Sequence, residues 1–205
     1  MRDELESARE LLEGGKPEEA RQKYEAVLEE LEAEGLESAY VFYGLAETWR
    51  YERAQDPERT LEGLERGFAA CCEAVRLDPI HPAHQEQFAD FGDRLRQRLC
   101  AFAQLPDDAA APRLYATLLR AGEADAACHV AMARYLAGHG RGEEARRILK
   151  ATVMLEPACA EAWRLLAEVA RGAGDGPCVA ECEARAAALA EVPAPFGVPS
   201  PDALC

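Results

Sequence analysis

The feature that most constrains this chain is the rhythm of its breakers. Long stretches of Ala, Leu, Glu and Arg carry apolar residues at i, i+3 and i+4. They are cut by "EGGKP" (13–17), "EG" (34–35), "AQDP" (54–57), "DPIHP" (78–82), "LPDDAAAP" (105–112), "AGE" (121–123), "GHGRG" (138–142), "EP" (156–157), "GAGDGP" (172–177) and "VPAP" (192–195). Period-2 alternation and β-branched runs are nearly absent, so the chain is predicted to be all-α, with about ten helices of roughly 10 to 18 residues. Helices joined by turns this short pack as antiparallel pairs.

Composition narrows the function classes. The chain has 205 residues, 49% apolar and 30% charged, enough for one domain or a short repeat array. Its 38 acidic residues against 23 basic ones leave a net charge of -15, and the basic groups do not cluster, which argues against a nucleic-acid partner. No run approaches the roughly 18 apolar residues that span a bilayer, and "MRDELESARELLEGG" lacks the apolar core of a signal peptide, so no membrane association and a cytoplasmic location are expected. Cysteines at 71, 72, 100, 128, 159, 178, 182 and 205 lack the density of a secreted disulfide scaffold. They are expected to be reduced, small apolar residues at helix interfaces.

The tetrapeptide EEAR occurs twice, at 18–21 and 143–146. Around the second copy, Ala145 is followed by Leu149 and Pro157, Gly140 lies in the turn before it, and Met132, Ala133 and Leu136 lie on the preceding helix. A shift of that helix by 34 residues gives Leu166, Ala167 and Ala170, with Trp163 before them and Gly174 after. Residues 37–81 carry the same frame, with Phe42, Leu45, Ala46 and Trp49, then Gly67, Cys71, Ala74 and Pro79. Residues 1–36 carry Ala8, Leu11, Ala20, Tyr24 and Val27; residues 82–124 carry Phe88 and Ala89, then Ala111, Tyr115 and Leu118. The steps Gly67 to Ala89, Ala111 to Ala133 and Ala145 to Ala167 are each 22 residues; Ala20 to Ala46 is longer.

This spacing resembles the tetratricopeptide repeat (TPR), W-x2-L-G-x2-Y, then A-x3-F, then P. The resemblance covers roughly residues 1 to 191. It implies a TPR-like right-handed superhelix of about five antiparallel helix pairs, at about 1–36, 37–81, 82–124, 125–158 and 159–191, with a Pro-rich tail at 192–205. Phe196, Val198 and Leu204 of that tail either dock on the last helix or belong to a disordered end.

Enzymatic signatures are lacking. Ser occurs only at 7, 38 and 200, none in a G-x-S-x-G elbow, and no glycine-rich loop follows a strand, so neither catalysis nor a cofactor is expected. Cys178 and Cys182 stand one helical turn apart, with Cys128, His129 or Cys159 as conceivable further zinc ligands; core packing accounts for them more simply, and no metal ligand is assigned. Cys71 falls where the family places an aromatic core residue and is expected to be buried. His81 and His84 flank a helix start and read as surface or capping residues.

In the TPR family the first helices of successive pairs line a concave groove, and the resemblance implies the groove positions here. They are Leu5 and Arg9 in repeat one; Tyr40, Tyr43, Glu47, Arg50 and Tyr51 in repeat two; Glu86 and Asp90 in repeat three; Arg134 in repeat four; and Arg164 and Glu168 in repeat five. An acidic, Tyr-bearing middle suits Lys or Arg on a partner segment, with acidic groups toward its ends. The competing reading makes the charges a solvated face, packs the tyrosines against the insertion, and assigns Leu5 and Leu12 to the core. The family's carboxylate-gripping mode needs Lys and Asn, but the matching positions are Leu5, Arg9 and Gly44, and the chain has no Asn. The expected function is a non-catalytic adaptor, monomeric or homodimeric, binding a protein or peptide with charged and apolar residues. The alternative is a secretion-type chaperone holding an unfolded client.

Overall fold

The computed structural model describes residues 2–51, 57–103 and 110–190. The Pro-rich tail, with Phe196, Val198, Leu204 and Cys205, lies outside the described residues, as does the middle of the "ERAQDPERTLEG" insertion.

Every regular element among the described residues is a helix: α1 (Arg2–Glu13), α2 (Pro17–Ala33), α3 (Ala39–Tyr51), α4 (Pro57–Leu77), α5 (Pro82–Phe102), α6 (Ala110–Ala121), α7 (Ala126–Gly138), α8 (Gly142–Leu155), α9 (Ala160–Gly172) and α10 (Gly176–Ala190). None of them is long and apolar enough to cross a membrane. They form two compact units, one of α1–α5 and most of α6, the other containing α7–α10.

Local chemistry sets the boundaries. Proline opens α2, α4 and α5, where its missing N–H and fixed φ fit the first helical position. The Asp125 carboxylate accepts from the Cys128 N–H at 2.8 Å and caps α7. Five turns share one closing motif, with Gly15, Gly35, Gly122, Gly140 and Gly174 at φ of 70 to 76°. In each, the amide after the glycine bonds back five residues: Lys16 to Leu11, Leu36 to Leu31, Glu123 to Leu118, Arg141 to Leu136 and Asp175 to Ala170, at 2.8 to 3.0 Å. A left-handed residue is needed to turn the chain there, and only glycine adopts that conformation without strain from its side chain.

Successive helices pack from α1 through α4 and from α7 through α10, and first helices also meet, α1 against α3 and α7 against α9. This is the TPR-like arrangement of stacked pairs. The first unit centres on Ala8, Tyr24, Val27, Leu31, Val41 and Leu45. Small residues permit the close approaches. Gly44 lies against the Tyr24 ring and Gly67 against the Phe91 ring, and neither has room for a Cβ.

The Gly67–Phe91 contact corrects one expectation. Ala89 was expected at the close helix contact opposite Gly67, yet it is exposed, and Phe91 takes the place instead. A glycine on α4 leaves space for a ring rather than a methyl, so α5 turns its His84, Gln87, Phe91, Leu95 and Leu99 stripe inward. The other small positions, Ala8, Ala20, Ala46, Ala111, Ala133, Ala145 and Ala167, are all buried.

Candidate functional site

Residues 40, 43, 47 and 50–51 follow one stripe along α3, because three- and four-residue steps return to the same helix face. That stripe meets α5 through side chains of opposite character. The Gln87 Nε2 donates to Glu47 Oε1 at 2.7 Å and to the Tyr43 carbonyl at 3.3 Å. The Arg50 Nη1 donates to the same Glu47 oxygen at 3.2 Å. Asp90 is then paired twice, by Arg94 at 3.0 Å and by Arg50 at 3.6 Å. Behind the seam, the Cys71 thiol donates to Gln87 Oε1 at 3.5 Å.

A second polar path crosses toward α2. The Thr48 hydroxyl donates to the Leu45 carbonyl at 2.7 Å and accepts from Arg21 Nε at 3.3 Å. The Arg21 guanidinium lies 3.3 Å over the Trp49 ring, so a buried cation is held by an aromatic face and a hydroxyl.

Burial governs the protonation of this face. Tyr24 is pushed up to about 12 by burial and by Tyr40, against the pull of Arg9. Glu47 and Glu13 push it the same way. Tyr43 is also raised, first by burial and then by Glu47, with a smaller push from Glu86. The buried Cys71 thiol lies far above the ordinary range. None of these groups is poised to exchange a proton near neutral pH.

In the first unit Arg9 lies on α1, Tyr40, Tyr43, Glu47 and Arg50 on α3, and Glu86 and Asp90 on α5, with α3 and α5 joined through Gln87–Glu47 and Arg50–Asp90. Tyr40 is 46% exposed and Tyr51 58% exposed, flanking a middle that is locked. Arg9 is exposed and pairs with Glu13 at 3.3 Å. Leu5 turns away from the face and packs on the core around Ala8 and Tyr24.

In the second unit, Arg134 pairs with Glu161 at 2.7 Å at the surface. Arg164 and Glu168 are exposed on α9, and Glu168 lies at a cleft beside Leu165, Val169 and Ala173.

Gln87, Arg94, Arg21 and Thr48 were not singled out from the sequence. His84 is not a surface residue: it is buried, with a ring nitrogen 3.4 Å from the Asp78 carbonyl just past the end of α4 and its ring 5.4 Å from Tyr43 and 4.3 Å from the exposed His81. A signal existed, since His84 and Gln87 interrupt an otherwise apolar stripe, and polar residues at buried positions need partners.

No protein-family model matches the chain, and no curated protein matches it significantly. Among solved structures it is similar to MamA AMB-1, at 17% identity over 91% of this chain and 96% of that one, with a TM-score of 0.42. It is also similar to MamA MSR-1, at 16% identity over 92% of this chain and 95% of that one, with a TM-score of 0.40. A third is MamA 41-end from Desulfovibrio magneticus RS-1, at 16% identity over 92% and 94% of the two chains, with a TM-score of 0.37.

Proposed function

We propose that this chain is a non-catalytic protein-interaction module that holds an extended partner segment along the α1–α3–α5 face of its first unit. The observation that carries this reading is the contrast along α3: exposed Tyr40 and Tyr51 at its ends, and a hydrogen-bonded Glu47–Gln87–Arg50 cluster between them. The two tyrosines are separated by about 16 Å of helix, which about five residues of extended chain would span.

Tyrosine suits such a role because it offers a large, amphipathic contact area and loses little rotamer freedom on binding. The rigid middle keeps the two rings in register before the partner arrives, which lowers the ordering cost of association. Glu47 and Asp90 are already paired by Gln87, Arg50 and Arg94, so a partner's Lys or Arg would meet Glu86 rather than those two carboxylates. The outer edge of Arg50, 42% exposed, would receive an acidic or carbonyl group.

The test is co-purification with the full chain from the native organism, followed by affinity measurements on the recovered partner. The Tyr40→Ala/Tyr51→Ala double variant should bind it at least about tenfold more weakly with an unchanged melting temperature. Equal affinity would remove the α3 face from consideration. A partner that is insoluble unless co-expressed with this chain would favour the client-holding reading.

A further inference from the structure

One apolar surface lies apart from this face, at the end of the second unit. Pro157 and Ala158 after α8, Trp163 of α9, and Arg185, Ala188 and Leu189 of α10 line a cavity of about 460 Å³. All six belong to the second unit. Pro157, Ala158 and Ala188 are exposed, and Trp163 and Leu189 are half-buried. The Trp163 indole N–H donates to the Pro157 carbonyl at 2.9 Å, which fixes the ring at the cavity wall and uses up its one polar group.

This lining suits a chain segment better than a small polar ligand. Small-molecule sites orient their ligands with several converging polar groups, whereas Arg185 alone supplies charge here. Arg185 has no ion-pair partner among the described residues. The last pair of a repeat array ordinarily turns a polar face outward, yet α10 exposes Ala184, Ala187 and Ala188 along with its charges.

Three properties of residues 191–205 identify the occupant. The first is the tether: α10 ends at Ala190, next to Leu189 of the cavity wall, and Phe196 follows within a reach of at most about 20 Å. A tether this short holds the segment at an effective concentration of about millimolar, so a second copy at micromolar concentration would need about a thousandfold higher affinity to displace it. The second is composition. Pro193, Pro195, Pro199 and Pro201 favour the polyproline II conformation, whose pre-ordered backbone docks at low entropic cost on aromatic-lined grooves. The third is charge: the segment carries Glu191 and Asp202 and no Lys or Arg, which complements Arg185.

We propose that residues 193–202 fold back over this cavity, with Phe196 against Trp163 and Leu189 and with Asp202 paired to Arg185, covering the apolar end of the second unit.

The experiment is chymotrypsin proteolysis of the native full chain, with the cut after Phe196 followed by mass spectrometry. That cut should be about tenfold slower in the wild type than in a free synthetic peptide of residues 191–205, because cleavage follows the population of the undocked segment. Ala188→Glu, which sets a carboxylate in the cavity, should bring the rate close to that of the peptide. Arg185→Asp should also speed the cut, and adding Asp202→Arg should slow it again. Helical circular dichroism checks that each variant is folded, and Arg185→Asp, an exposed charge reversal, carries the test if Ala188→Glu is not. Wild-type cleavage as fast as that of the peptide overturns the proposal and leaves the cavity to a separate partner. Protection that appears only as protein concentration rises, together with a dimer in sedimentation equilibrium, overturns it in favour of a second copy.

Discussion

The side-chain N–H of Gln87 donates to Glu47 at 2.7 Å across 40 residues of sequence, while the Gln87 oxygen accepts from Cys71. One amide therefore joins α3, α4 and α5, and the Glu47 carboxylate, 9% exposed, takes both Gln87 and Arg50 on one oxygen. An interior carboxylate is stable only with such partners.

Gln87→Leu removes one of the two donors on Glu47. Hydrogen bonds to charged groups contribute about 1.5–3 kcal/mol, so urea unfolding should show a loss near 2 kcal/mol with an unchanged m-value. Gln87→Glu should be worse at neutral pH, because it sets two carboxylates against each other, and it should recover as acid protonates one of them.

Gly67→Ala forces a methyl into the Phe91 ring and to within 3.1 Å of the Trp49 Cβ. Overpacking of this kind costs about 1–3 kcal/mol. Adding Phe91→Leu makes room, so a double-mutant cycle on thermal melts should give a favourable coupling of about 1 kcal/mol or more. Strict additivity would mean that the two positions do not touch.

Tyr40→Ala and Tyr51→Ala should each change folding stability by less than about 0.5 kcal/mol, since surface rings away from the core carry little of it. Tyr24→Ala, which empties a core position, should cost about 3–5 kcal/mol. Chemical denaturation of the three variants separates the exposed tyrosines from the buried one.

Tyr24 also makes stability depend on alkaline pH. Its hydroxyl titrates near 12 in the folded chain against 10.0 ordinarily. The unfolded chain therefore loses this proton first, and stability is whole below pH 10 and falls as pH rises through 10 toward 12. A two-unit shift corresponds to a loss of about 2–3 kcal/mol. Urea midpoints between pH 9 and 12 should fall in the wild type and fall less in Tyr24→Phe.

Much of the fold was legible because its determinants are local. A glycine after the last helical residue, a proline at the first, and apolar steps of three and four act within one or two turns of chain. They marked the helices, five closing turns and the buried Ala8, Ala20, Ala46, Ala133, Ala145 and Ala167. The placement of Tyr40, Tyr43, Glu47 and Arg50 along one stripe of α3 follows from the same periodicity.

What tertiary structure alone decided is which side chain answers which across helices. Whether Ala89 or Phe91 faces α4 depends on the rotation of α5, and the volume left by Gly67 settled it in favour of the ring. The charge left available on Glu47 and Asp90 depends on Gln87 and Arg94 arriving from a helix some 40 residues away for the first and one turn away for the second. Leu5 and His84 turned inward for the same reason. Periodicity places a residue on a helix face and can supply a same-helix partner one turn away, as Arg94 does for Asp90, but partners such as Gln87 for Glu47 come from another helix and exist only once the helices have packed.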